Sequence, residues 1–226
     1  GGLALGAALA LTGERRPLGH VFLGPSYPES EVEEALRAGG FRMERPSEPH
    51  ENVASALASG EVAAVFSGQL ELGPRALGGR SLLAPADRPE VLRRLGEALD
   101  RPLFMPFAPA ILAEDLTRYL KMPPAAAPSA AFMTLAVPAT DVLRRELPAA
   151  VHEDGTVRPQ IVRENDASGL HPILAAYKRR TGHGAAINTS FNGHGEPIVA
   201  SPADALATAR RCGIRKLAMG PFWVEL

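Results

Sequence analysis

Residues 61–81 read E-V-A-A-V-F-S-G-Q-L-E-L-G-P-R-A-L-G-G-R-S. The V-A-A-V-F core predicts a buried strand over 61–67. A loop is expected over 69–81, where Gly73, Pro74, Gly78 and Gly79 break helix and strand patterns and impose a stiff backbone path. The loop carries Arg75 and Arg80, with Ser81 directly after. An arginine is a planar, permanently charged fork that fits phosphate or carboxylate oxygens. A buried strand that delivers two such forks and a hydroxyl is a design for holding an oxyanion.

A second polar stretch lies far down the chain. Residues 187–199 read I-N-T-S-F-N-G-H-G-E-P-I-V. A strand is expected over 184–187, with Asn188, Thr189, Ser190 and Asn192 just beyond its end. Polar side chains past a strand end are typical of ligand crevices in α/β sheets. Gly, Pro, Asn and Ser also dominate ordinary turns, so one such loop decides little. Two of them, one with paired arginines, favour a ligand site.

The remaining chain alternates strand and helix patterns. Strands are expected at 20–23, 82–84, 132–137, 156–162 (carrying Arg158), 214–219 and 222–226. Ser30 and Glu33 have capping-box spacing ahead of a stripe of Val32, Ala35 and Leu36 that stops at Gly39 and Gly40. Further helices are expected at 52–59, 89–99, 114–120, 140–147 and 170–181, and Ser201 with Pro202 opens a final one. Residues 104–112 form an apolar, proline-interrupted segment, and 122–129 read as a loop or lid. This alternation predicts an α/β fold with a largely parallel or mixed sheet.

A chain of 226 residues with 46% hydrophobic content and a net charge of -1 suits one large domain, or one domain plus a fragment of another. The near-zero charge argues against nucleic-acid binding through the overall field. Cys212 is the only cysteine, which excludes an internal disulfide and a cysteine-built zinc site; it reads as a packed thiol. The opening small-residue run over 1–13 predicts a tightly packed helix, too short to span a bilayer and without the charged start of a signal peptide. It reads as belonging to something upstream, and the cytoplasm is the expected compartment. His183 and His194 flank the second polar stretch as turn residues rather than as a metal pair. Glu71 and Glu196 each sit inside a motif, where a carboxylate either helps hold magnesium or pins a motif arginine. Phe222 and Trp223 read as core.

Four blocks together resemble one family: G-P-R-A-L-G-G-R-S (73–81), P-F-A-P (106–109), R-P-Q-I-V (158–162) and N-T-S-F-N-G-H-G-E-P-I-V (188–199). They are similar to the C-terminal domain of the ATP-dependent O-carbamoyltransferases of nodulation and antibiotic tailoring. The resemblance implies a YrdC/Sua5-like twisted mixed sheet with flanking helices over 20–226. It implies that 1–19 are the last helix and linker of an upstream Kae1-like domain. By the same resemblance, this domain makes carbamoyl adenylate from carbamoyl phosphate and ATP, with magnesium as ATP's companion. The upstream domain, with an iron-type metal, then passes the carbamoyl group to a hydroxyl of a small-molecule acceptor. The family's anion-binding roles map onto Arg75, Arg158, Asn188 and Ser190, with Arg75 and Arg158 the expected catalytic pair. Arg80, Ser81, Thr189 and Asn192 complete the expected binding set. No nucleic acid or membrane partner is implied.

One region departs from the family. From Leu99 the chain reads L-D-R-P-L-F-M-P-F-A-P. Met105 stands where the family places an arginine, and Leu99 or Asp100 where it places a lysine. Arg101 is the one residue there that can substitute. These departures motivate a second reading: a non-catalytic nucleotide- or phosphate-binding module that braces or regulates a partner domain.

Overall fold

The computed structural model describes residues 2–14, 19–102 and 105–226. Residues 15–18 of the expected linker, and 103 with residue 104 of the expected apolar segment, lie outside them. Ten strands form among the described residues: β1 (Met43–Glu44), β2 (Ala63–Phe66), β3 (Arg80–Ala84), β4 (Ala108–Leu112), β5 (Val137–Pro138), β6 (Thr156–Val157), β7 (Gln160–Val162), β8 (Ala185–Ser190), β9 (Lys216–Met219) and β10 (Phe222–Glu225). Eight of them make one mixed sheet in the order β1-β10-β9-β2-β3-β8-β4-β7, while β5 and β6 pair separately. Within the large sheet β2–β9 and β4–β7 are parallel and the other pairs antiparallel.

The helices are α1 (Gly2–Thr12), α2 (Glu29–Ala38), α3 (Pro49–Ala58), α4 (Pro89–Ala98), α5 (Leu116–Tyr119), α6 (Ala127–Ala130), α7 (Asp141–Glu146), α8 (Leu170–Thr181) and α9 (Pro202–Arg211). They cover both faces of the sheet. Adjacent strand residues therefore enter opposite cores. Leu82, Ile111 and Ile187 pack with Leu36, Leu95 and Ala209 of α2, α4 and α9. Leu83, Leu112 and Ala186 pack with Leu57 and Leu174 of α3 and α8. A strand sandwiched on both faces has to be apolar on both, which is why L-L and I-L pairs occupy β3 and β4. Each fully buried leucine contributes about 1.5–3 kcal/mol, so Leu83→Ala would cost about 2–5 kcal/mol.

Several expectations change in three dimensions. Ser30 caps nothing: α2 begins at Glu29 with Pro28 as its N-cap and no side-chain cap bond. Ser201 does form a capping box with Asp204. The strand expected over 132–137 shrinks to β5, with Met133 held at φ 55. The strand expected over 156–162 splits at Arg158 and Pro159 into β6 and β7, since proline has no N–H for the ladder. The lid segment over 122–129 instead carries a short 3-10 turn and enters α6. α1 forms as a helix but is not the tightly packed one expected, since Leu3 is 94% and Leu11 90% exposed. Among the described residues no helix is long and apolar enough to cross a membrane.

Candidate active site

Sheet topology gathers the site. β3, β4 and β7 begin at the same end of the sheet at which β8 finishes, as the registers Ser81↔Ser190, Ala108↔Asn188 and Ala110↔Gln160 show. Three segments that lead into strands therefore converge there. The segment before β3 brings Arg75, that before β4 brings Arg101, and that before β7 brings Arg158. Together with Asn188, Thr189 and Ser190 at the end of β8, these arginines line a single cleft. Asn188, Thr189 and Ser190 lie within β8, not in the loop the sequence predicted, because pairing with Leu83, Leu82 and Ser81 of β3 extends the strand.

The cleft concentrates positive charge. Arg101 and Arg158 are both pushed below the usual arginine range, first by burial and then by the charge of Arg75; Arg101 adds to the effect on Arg158. Guanidinium stays protonated in proteins, so these groups carry a burial cost and, after it, a mutual repulsion that a bound anion would relieve. No carboxylate lines the cleft among the described residues. Arg101 is held in place by Nη1 donating to Thr189 Oγ1 (3.1 Å) and Nη2 donating to Pro106 O (2.9 Å), with its guanidinium 4.6 Å from the Phe107 ring centre. Arg158 Nε is buried without a hydrogen-bond partner among the described residues.

The Arg75 loop is built from below. Glu71, 5% exposed, accepts at Oε1 from the backbone N–H of Leu77 (2.7 Å), Gly79 (2.6 Å) and Arg80 (3.3 Å). Of the two roles expected of it, Glu71 performs the pinning one, on the backbone. Gly78 sits at φ +126, where a Cβ would lie 2.3 Å from Ser168 O, so only glycine fits. The incoming chain straps the loop from outside, with Gly24 N donating to Leu70 O (2.9 Å), Leu70 N to Pro25 O (3.0 Å) and Leu72 N to Val21 O (2.7 Å).

Arg80 and Ser81 leave the expected binding set. Arg80 is fully buried. Its Nη1 donates to Ser67 O (2.9 Å) and Gly79 O (2.9 Å), both terminal nitrogens share Gly68 O (3.3 Å), and its guanidinium lies 3.7 Å from the Phe66 ring centre. Ser81, also fully buried, accepts from Gly78 N (2.9 Å). The physical reason is that β3 starts at Arg80, so both residues enter the sheet. Asn192 lies past β8 and donates to Glu196 O (2.7 Å), closing a turn rather than facing the cleft. Glu196 pairs with Arg211. Leu99 is buried in the core, which removes position 99 as a source of a cleft cation.

A network that the sequence did not reveal fixes Asn188. Gln160 donates through Nε2 to Leu77 O (2.7 Å) and accepts at Oε1 from Asn188 Nδ2 (2.7 Å), which also donates to Ala76 O (3.2 Å). Asn188 Oδ1 is buried and has no partner among the described residues. The available signal was a glutamine beside Ile161 and Val162 in a strand pattern, since a buried amide needs partners.

Metal ligands are sparse. Glu48, His50 and Glu51 are one group of metal-ligating type among the described residues, but Glu51 is already paired with Arg179 and Arg180. The cleft, lined by three arginines and without a carboxylate among the described residues, does not fit a protein-held magnesium ion.

The carbamoyltransferase C-terminus family profile matches residues 54–226. The chain is 35% identical over 236 residues to nodulation protein NolNO of Sinorhizobium fredii, covering 99% of this chain and 34% of that protein. It is 32% identical over 186 residues to the 3'-hydroxymethylcephem-O-carbamoyltransferase of Amycolatopsis lactamdurans, covering 80% of this chain and 34% of that enzyme. It thus spans about a third of the length of these relatives. Among solved structures, full-length HypF in a phosphate- and nucleotide-bound form superposes with a TM-score of 0.55 at 20% identity, over 74% of this chain and 24% of that one. P. abyssi Sua5 complexed with L-threonine gives 0.50 at 21% identity, over 74% and 45%. The expected YrdC/Sua5-like mixed sheet is the fold observed.

Proposed function

Since this chain belongs to the carbamoyltransferase C-terminus family, we propose that its arginine cleft binds carbamoyl phosphate and ATP and joins them as carbamoyl adenylate. An upstream domain then transfers the carbamoyl group to a hydroxyl of a small-molecule acceptor. The observation that carries this reading is the convergence of Arg75, Arg101 and Arg158 with Asn188 and Ser190 on one cleft. Two polyanions repel each other, and the repulsion has to be screened before they react. Fixed guanidinium groups do so without reorganising, and positioning with charge stabilisation is most of what phosphate chemistry requires.

The reaction balances in two steps. Water cleaves carbamoyl phosphate to carbamate and phosphate; a carbamate oxygen then displaces pyrophosphate from the α-phosphorus of ATP. Magnesium belongs to this reading as part of the ATP substrate. A groove of about 550 Å³ shares Arg101 and Pro106 with the cleft and is lined by Leu92, Phe107 and His152. Its size and mixed lining suit the nucleoside end of ATP. The exposed leucines of α1 support its assignment to an upstream Kae1-like domain.

The rival reading, binding without chemistry, rests on Met105 and on Leu99 or Asp100. Arg101 weakens it, because this residue supplies a cation from the segment in which the family's cations are replaced. The deciding experiment is carbamoyl-phosphate-dependent ATP–pyrophosphate exchange by the full-length protein. Exchange is expected. ATP binding without any carbamoyl-phosphate-dependent turnover would establish the rival.

A further inference from the structure

We infer that Gln160 makes this cleft selective for a ligand bearing an N–H group, by locking the Asn188 amide with its oxygen free. The inference rests on the carbamoyl phosphate reading above and extends it to how the carbamoyl group is told apart from its isosteres.

The orientation follows from two backbone carbonyls, which only accept. Leu77 O takes a hydrogen bond from the Gln160 side chain, so the nitrogen of that amide must face it. Gln160 Oε1 is then turned toward Asn188 and needs a donor. Ala76 O makes the same demand on Asn188 from another side. Asn188 Nδ2 satisfies both. Flipping Asn188 would set its oxygen against two others, and flipping Gln160 would set oxygen against oxygen at Leu77 and nitrogen against nitrogen at Asn188. Asn188 Oδ1 is left as a buried acceptor with no partner among the described residues, on a residue that lines the cleft.

The charged groups at the cleft are all donors: Arg75, Arg101 and Arg158. Thr189 Oγ1 already accepts from Arg101, and a locked, unpaired acceptor among cations has a use that the cations cannot serve. It accepts from an N–H of the ligand, while the guanidinium groups hold the phosphate oxygens. Carbamoyl phosphate carries such an NH₂ group. Acetyl phosphate has a methyl group in the same place and would leave Asn188 Oδ1 buried and unpaired. Sites built to hydrogen-bond one group reject the analogue that lacks it for this reason. Gln160 is thus a positioning residue, acting through Asn188.

The test is calorimetric binding of carbamoyl phosphate, acetyl phosphate and inorganic phosphate to the full-length protein. Carbamoyl phosphate should bind at least about tenfold more tightly than acetyl phosphate, the loss expected for one unpaired buried acceptor. In Gln160→Met, which removes the shorter of the two hydrogen bonds that hold the Asn188 amide and leaves only the longer one to Ala76 O, that ratio should fall, each affinity being taken relative to inorganic phosphate. A destabilised but folded protein has no reason to change this ratio, so it separates positioning from support. Equal binding of the two acyl phosphates by the wild-type protein overturns the inference whether or not the variant folds. An unchanged ratio in a folded Gln160→Met protein overturns it as well. Binding of none of the three anions overturns the site reading beneath it.

Discussion

Arg75 and Arg80 stand in the same glycine-rich motif, yet they do opposite work. Arg75 is exposed at the mouth of the cleft and lowers the proton affinity of Arg101 and Arg158 by its charge. Arg80 is buried, its terminal nitrogens are taken by carbonyls of Ser67, Gly68 and Gly79, and its face is covered by Phe66. Burial also pushes Arg80 below the usual arginine range, with Glu71 opposing. What separates the two is who owns their donors. A guanidinium whose hydrogen bonds are spent on the backbone is a brace; one with donors left over is available to a ligand.

The sharpest way to break this division is to exchange its consequences. Arg80→Met strands several buried carbonyls and should lower the unfolding free energy by about 3 kcal/mol or more, read by urea denaturation. A loss below about 1 kcal/mol would mean that Arg80 is not the brace described. Arg75→Ala should leave stability within about 0.5 kcal/mol but weaken binding of inorganic phosphate about tenfold to a hundredfold, the worth of a charged hydrogen bond. Unchanged phosphate affinity in that variant would place the anion site elsewhere. Arg101→Met should weaken phosphate by about tenfold, and adding Met105→Arg should recover part of the loss. If the double variant recovers nothing, Arg101 does not stand in for a cation at 105.

The same question of ownership explains how much could be read in advance. The fold class was legible because alternating helix and strand patterns and apolar strand cores survive without tertiary information. Arg75, Arg158 and Ser190 were legible as a set through their motifs, and the sheet brings them together. The edges of the motifs were not. Residues 188–190 look like turn residues, but pairing with β3 makes them strand; the same pairing takes Arg80 and Ser81 inward. Pro159 is the signal of the break beside Arg158, set between the strand-forming pairs Thr156–Val157 and Ile161–Val162. Gln160 acts through a backbone carbonyl 83 residues away, and no local pattern records such a partner; Glu71 acts on amides of its own loop, which side-chain types alone do not reveal. Arg101 was visible only as an arginine in a segment that departs from its family.

The smallest expected effect probes the cleft's field from outside. His152 lines the neighbouring groove, with Nδ1 3.3 Å from Thr156 Oγ1. It is held below the usual histidine range, first by burial; Arg158 pushes it the same way, while Asp154 and a hydrogen bond with the Phe107 backbone oppose. The sign then follows. Between the depressed folded value and the ordinary unfolded one, the unfolded chain binds more protons, so stability is present above the ordinary histidine range and lost as pH falls through it. An anion seated beside Arg158 cancels part of the field that depresses His152 and raises its proton affinity. Binding should therefore take up a fraction of a proton below the ordinary histidine range. Sulfate, which does not titrate there, makes the uptake measurable by calorimetry in two buffers of different ionisation heat. His152→Gln should abolish the uptake. If wild-type and variant proteins take up equal amounts, the anion does not sit where Arg158 meets His152, and the cleft's charge is not concentrated in the way that distinguishes Arg75 from Arg80.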